Sequence, residues 1–218
     1  MSWWVVNCVR HHGEVASADS ALWDGAYDLG DVTRSWYQEL PTQSLRMVAA
    51  AGVASADSVI DVGGGASTLV DGLLARGFHD ITVLDISATG LQVAQHRLAN
   101  DASRVQWIVA DLLTWVPART YAVWHDRAVF HFMTSASAQG KYLKVLHAAT
   151  TPGSVAVIGC FALDGPRSCS GLPVVRYDAV GLTQQLGEGW ALIHDERQDH
   201  ATPAGAVQPF TWAAFRRR

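Results

Sequence analysis

Three carboxylates occupy matching places in the first half of the chain, and their spacing suggests one shared ligand. Asp61 lies in the apolar run Val59-Ile60-Asp61-Val62, which leads directly into Gly63-Gly64-Gly65-Ala66-Ser67. Asp85 closes Ile81-Thr82-Val83-Leu84, and Asp111 closes Trp107-Ile108-Val109-Ala110. Glycines let a chain turn sharply and let a ligand lie against the backbone. A dinucleotide fingerprint wants G-x-G-x-x-G, but here Thr68 stands where the third glycine or alanine would fall. Asp61, two residues ahead of the first glycine, would repel a pyrophosphate. It suits a ligand that carries a cation. Asp85 lies 20 residues after Gly65, and a carboxylate there can accept hydrogen bonds from both hydroxyls of a ribose. Asp111 can accept from an exocyclic adenine amine. Hydrogen bonds to a charged acceptor contribute about 1.5–3 kcal/mol each. One acid after a strand is often only a cap or a turn residue. Three at successive strand ends favour a common site.

For these acids to converge, the runs that carry them must be neighbouring strands. Strands are expected at 58–62, 81–84, 105–109, 121–124 and 154–161, and helices at 67–76, 88–100, 135–150 and 178–187. Leu45-Arg46-Met47-Val48-Ala49-Ala50-Ala51 reads as an earlier helix stopped by Gly52. Two last strands, 190–198 and 208–216, are expected as an antiparallel hairpin with a long loop at 199–205. This alternation implies an α/β fold with a mostly parallel sheet, whose ligands lie outside the carboxyl ends of the strands. With 218 residues, one domain over 1–218 is expected, with 1–52 as an N-terminal helical cap.

The totals exclude several classes. A net charge of −4 argues against a nucleic-acid partner. Cys8, Cys160 and Cys169 are odd in number and contain no C-x-x-C, so neither a disulfide framework nor a bound metal is expected. The apolar run within residues 1–10 is short and lacks a basic leader. No window approaches about 18 apolar residues. A cytoplasmic protein with no membrane partner is the expectation.

Residues 57–67, 81–87 and 105–113 resemble the first three motifs of class I S-adenosylmethionine-dependent methyltransferases. The resemblance covers about residues 40–216. It implies a doubly wound, seven-stranded, Rossmann-like sheet with a C-terminal antiparallel hairpin. It also implies S-adenosylmethionine as cofactor, whose sulfonium and amine suit Asp61. Gly63, Gly64 and Gly65 would line its methionine part and Asp85 would hold its ribose. Ile86 would pack on the adenine, with Asp111 and Leu112 framing it. Trp23-Asp24-Gly25-Ala26-Tyr27-Asp28-Leu29-Gly30-Asp31, followed by Arg34-Ser35-Trp36-Tyr37-Gln38, is similar to the leading segment of thiopurine-type small methyltransferases. That likeness implies a segment closing over the cofactor, with Trp36 or Tyr37 near the sulfonium in a cation–π contact. The competing reading is that these aromatics only pack the first helix onto the sheet.

The acceptor is expected beside the segment Trp124-His125-Asp126-Arg127-Ala128-Val129-Phe130-His131-Phe132, read as the loop after the fourth strand. Methyl transfer needs alignment above all, and a base only where the acceptor must lose a proton. His131, Asp126 and His200 are the candidate catalytic groups, and His125 is a further candidate base. In the competing reading Asp126 and Arg127 pair to fix the loop while His125 helps bind the cofactor. Arg127, Arg176 and Cys169 are candidate acceptor-binding residues, with Arg176 suited to an anionic group. A small-molecule acceptor, methylated on O, N or S, is expected. The alternatives are a protein lysine acceptor or a non-catalytic cofactor-binding relative.

Overall fold

In the first strands every side chain is buried, because helices cover both faces of the sheet. A computed structural model describes residues 20–28 and 31–218. The apolar start at 1–10, with Cys8, and the pair Leu29-Gly30 lie outside these residues. In chain order the described elements are α1 (Ser20–Asp28), α2 (Thr42–Ala50), β1 (Val59–Val62), α3 (Leu69–Ala75), β2 (Ile81–Asp85), α4 (Ala88–Leu98) and β3 (Val105–Val109). There follow β4 (Val123–Arg127), α5 (Ala136–Ala148), β5 (Val155–Phe161), β6 (Ser168–Cys169), β7 (Leu172–Pro173), α6 (Ala179–Leu186), β8 (Trp190–Ala201) and β9 (Val207–Arg217).

The main sheet has seven strands in the order β3-β2-β1-β4-β5-β9-β8. All pairs from β3 to β5 are parallel, and β9 pairs antiparallel with both β5 and β8. This is the Rossmann-like methyltransferase arrangement. The chain runs outward from β1 to β3 and then returns to place β4 against β1. The order thus reverses between β1 and β4, where an open sheet leaves a crevice.

Strand parity sorts the side chains. Val59 and Val123 join one core layer with Leu45 and Met47 of α2 and Leu69 and Leu73 of α3. Ile60, Val62 and Trp124 join the other, with Tyr142 and Leu146 of α5 and Leu182 of α6. Because Asp61 and His125 are register partners on adjacent strands, they share a face with Val59 and Val123. Asp126 points to the opposite face.

Two boundaries differ from the sequence expectation. β4 begins at Val123 and runs through Arg127, so Trp124–Arg127 is strand, not loop. β8 continues to Ala201, because its ladder with β9 is maintained through Asp199↔Pro209, His200↔Gln208 and Ala201↔Val207. Only residues 202–206 are left to connect the two strands. A half-exposed ladder accepts polar side chains, so Asp199 and His200 do not end it. Between β5 and α6, β6 and β7 form a small hairpin turned by Ser170 and Gly171, both at positive φ (52° and 77°). A two-residue turn of that kind matches the strand twist.

Candidate functional site

The glycine turn is tied to the end of β2, since Gly63 N and Gly64 N both donate to the Leu84 carbonyl, at 2.7 and 3.3 Å. No side chain fits there. A Cβ on Gly63, whose φ is +64°, would lie 2.1 Å from Val129 Cγ2. One on Gly64 would lie 2.5 Å from Val83 Cγ1 and 2.7 Å from Asp61 Oδ2. Asp61 is buried, with Oδ1 2.7 Å from His125 Nδ1. Its Oδ2 has no partner among the described residues. Asp85 Oδ1 accepts from Ser87 N at 2.7 Å. Asp111 Oδ1 accepts from Leu113 N at 2.9 Å, and its buried Oδ2 has no partner. Asp61, Asp85 and Asp111 all border one cavity of about 440 Å³, and Ile86 and Leu112 form part of its apolar wall. An unsatisfied buried polar atom costs about 1–3 kcal/mol, so these two oxygens mark places for a donor-bearing ligand.

α1 covers this cavity. Asp24 accepts from Ser87 Oγ at 2.6 Å and from Thr89 N at 3.1 Å. It thus sits at the N-terminus of α4, where a negative charge is favoured. The bond from Ser87 holds Asp24 below the ordinary carboxylate range. Tyr27 lies over the glycines, so that a Cβ on Gly65 would meet its hydroxyl at 2.2 Å. Trp36 meets Trp23 and Tyr27 edge-on at 6.2 and 6.3 Å, and both Trp36 and Tyr37 border the cavity. Under this cover, burial pushes Asp85 up to about 7, helped by the charges of Asp61 and Asp24 and opposed by the bond from Ser87. Sequence reading gave Asp24 and Tyr27 no role. Ser87, one residue ahead of α4, was the available hint that a second acid would find a docking point.

Beyond the glycine turn the cavity reaches Arg127, Phe132, Met133 and the β6–β7 hairpin at Cys169 and Leu172. Arg127 Nη1 donates to the Trp36 carbonyl at 2.8 Å, and the guanidinium lies 5.2 Å from the centre of the Phe210 ring. Burial lowers Arg127 to about 10, so it remains a cation at neutral pH. Cys169 is buried, and its thiol is pushed upward for that reason. His125 borders the cavity with Nε2 unbonded.

Gly65, covered by Tyr27, lies off the cavity wall, and so do four polar candidates. Asp126, fully buried, accepts from Tyr142 Oη at 2.6 Å, Val129 N at 2.9 Å and Phe130 N at 3.0 Å. Burial raises it to about 6. It makes no ion pair with Arg127, because the two residues face opposite sides of β4. His131 is fully buried against Phe132 and Phe161, at ring distances of 4.5 and 4.9 Å, with neither nitrogen bonded. Burial and then the charge of Arg127 pull it down to about 3, so it is neutral at pH 7. His200 has Nε2 2.8 Å from the Ser35 carbonyl. It borders a separate, shallower depression beside Tyr37 and Leu40. Arg176 donates to the carbonyls of Leu163 and Gly165 and so ties down its own loop. Among the described residues no group of three or more His, Cys, Asp or Glu side chains is placed to hold a metal. No described helix is long and apolar enough to cross a membrane.

Residues 59–153, from β1 to the turn before β5, match the family described as a methyltransferase domain. The sheet order agrees with that match, since it is the one expected of the class I S-adenosylmethionine-dependent methyltransferase fold. The orphaned oxygens of Asp61 and Asp111 with the bare glycine floor fit an amine-bearing nucleoside ligand such as S-adenosylmethionine, the cofactor that a methyltransferase domain implies. No curated protein matches the sequence. Among solved structures the methyltransferase is similar to the N-methyltransferase NodS of Bradyrhizobium japonicum WM9 in complex with S-adenosylhomocysteine. The TM-score is 0.69 at 16% identity, over 91% of this chain and 99% of that one. It is also similar to the 1,6-didemethyltoxoflavin-N1-methyltransferase of Burkholderia thailandensis, with TM-score 0.66, 18% identity and 91% and 85% coverage. A third likeness is to a protein of echinomycin biosynthesis that concerns conversion of a disulfide bond into a thioacetal group. There the TM-score is 0.72 at 21% identity, over 91% and 93% of the two chains. At these identities the likeness speaks for the fold.

Proposed function

We propose that the enzyme methylates a small molecule held in the same cavity as the cofactor. The observation that carries this reading is the continuity of the cavity from the three acids to Arg127, Phe132 and Cys169, beneath Trp36 and the β6–β7 hairpin. A covered cavity of about 440 Å³ suits a compact ligand better than a polypeptide segment. When bound, S-adenosylmethionine supplies a methyl group on a positively charged sulfur. Asp61 Oδ2 receives the amine of the methionine part, Asp85 the ribose hydroxyls and Asp111 Oδ2 the adenine amine. The glycines let the ligand lie on the backbone, and Ile86 and Leu112 flank the adenine. Trp36 and Tyr37 keep water from the site.

His125 is the histidine whose surroundings suit a proton acceptor. Its Nδ1 proton is held by Asp61 Oδ1, which leaves the Nε2 lone pair unused. Where the acceptor atom must lose a proton, His125 takes it; otherwise alignment carries the reaction.

Methyl-labelled cofactor incubated with a cell extract tests the reading. Label is expected in the small-molecule fraction. Label confined to protein would replace it with a polypeptide acceptor, and no label in either would leave a cofactor-binding relative.

Asp85 makes the cofactor site pH-dependent. It must be ionised to accept from two hydroxyls, and in the free protein it gains a proton below about 7. Affinity for S-adenosylhomocysteine should therefore rise with pH through about 7 and then level off. The sign is opposite for folding. With a folded value above the ordinary 3.8, protonation favours the folded chain, so that contribution is full below pH 3.8 and lost by about 7. Calorimetric titrations on both sides of neutrality check the first effect, and an Asp85→Asn variant should flatten it.

A further inference from the structure

Arg127 is partly buried, with its Nε and Nη2 atoms shielded from solvent, and it has no counter-charge in contact among the described residues. It ends β4 on the face shared with Asp61 and His125, and it borders the cavity. Nη1 is used on the Trp36 carbonyl, while Nε and Nη2 are buried without partners among the described residues. None of the ion pairs among the described residues includes it. Asp126, its neighbour in sequence, is turned to the other face and taken up by Tyr142 and two backbone amides. Asp61 gives one oxygen to His125 and favours the charge on Arg127 only from beyond ion-pair distance.

A buried charge without a partner is costly. A protein that keeps one beside a cavity has a ready place for an anion. The guanidinium is a planar fork that matches a carboxylate with two parallel N–H bonds. The neighbouring walls are of another kind, being built by Phe132, Met133, Leu172 and Pro173. These residues follow β4 and β5 and belong to none of the three acid-bearing turns. Charge at one point and apolar surface around it describe a ligand with one anionic end and a hydrocarbon or aromatic body.

We infer that the methyl acceptor is a small, largely apolar organic carboxylate whose carboxylate pairs with Arg127. This rests on the proposed transfer to a small molecule. It moves the anion-holding role from Arg176, which is engaged by the carbonyls of its own loop, to a residue on the cavity wall.

The full chain, saturated with S-adenosylhomocysteine, is titrated calorimetrically with phenylacetate and hexanoate, and in parallel with phenylacetamide and hexanamide. At least one carboxylate is expected to bind saturably, with its amide about tenfold weaker or worse. This comparison needs no variant. In Arg127→Gln, carboxylate affinity should fall about ten- to a hundred-fold, with S-adenosylhomocysteine affinity kept within about threefold; Arg127→Lys should lie between. Equal binding of acid and amide would overturn the inference. So would a wild-type protein that takes S-adenosylhomocysteine and neither carboxylate. Loss of S-adenosylhomocysteine affinity in Arg127→Gln, with carboxylate binding unchanged, would also overturn it, by assigning the arginine to the cofactor. Failure of the wild-type chain to bind S-adenosylhomocysteine would remove the cofactor reading of the cavity, and this inference with it. That failure is seen in the saturation step, before any carboxylate is added.

Discussion

Asp126→Ala is expected to lose about 3 kcal/mol or more of unfolding free energy. The carboxylate is wholly buried and accepts from the Tyr142 hydroxyl and from the amides of Val129 and Phe130. Tyr142 in turn accepts from Trp124 Nε1 at 2.9 Å. Alanine would leave one hydroxyl and two N–H groups without partners between α5 and the sheet. Each orphan costs about 1–3 kcal/mol. Asp126→Asn keeps an acceptor for the amides and should lose less. Denaturant unfolding followed by tryptophan fluorescence measures both. Where the variants remain folded, affinity for S-adenosylhomocysteine should stay close to that of the parent. A catalytic Asp126 would give the reverse result, with stability kept and turnover lost in Asp126→Asn.

That contrast also shows which parts of the site a sequence can reveal. The turn from β1 into Gly63-Gly64-Gly65 and the acids ending β2 and following β3 are local features. Each lies within one strand and the residue or two after it, so the acid-lined end of the cavity was readable. The central strands β1, β2 and β5 were readable for a related reason, since strands covered on both faces are largely apolar runs, while the count of seven strands was what the family resemblance implied. Beyond the glycine turn, the acceptor end depends on parity. Once β4 is known to run through Arg127, alternation alone sends His125 and Arg127 to one face and Asp126 to the other. The polar stretch His125-Asp126-Arg127 looked like a loop because charged residues rarely lie inside a buried strand. Asp24 could not have been found locally. Its partner Ser87 is 63 residues away, and nothing in either segment names the other. The burial of His131 is likewise tertiary, since it depends on Phe161 from β5 closing over the ring.

Asp61→Asn should weaken binding of S-adenosylhomocysteine by about ten- to a hundred-fold, the loss that follows removal of one charged hydrogen-bond acceptor. Asparagine has nearly the same shape. Its carbonyl oxygen can still face His125 Nδ1, which lies 2.7 Å from Asp61 Oδ1. The amide nitrogen would then occupy the place of Oδ2, the oxygen that has no partner among the described residues. A donor at that point opposes the amine it is proposed to receive. Asp61→Ala should do further damage, because it also leaves His125 Nδ1 without its acceptor. The drop from asparagine to alanine therefore measures the His125 contact, and the drop from aspartate to asparagine measures the charge. NAD makes the complementary probe. Its pyrophosphate would lie over the same glycine turn, where the Asp61 carboxylate repels it, so the wild-type chain should not bind NAD measurably. Both titrations can be run by calorimetry on protein whose unfolding midpoint has first been checked. An Asp61→Asn variant that binds S-adenosylhomocysteine as tightly as the parent would reduce Asp61 to a support for His125, and the amine would then need another acceptor on the cavity wall.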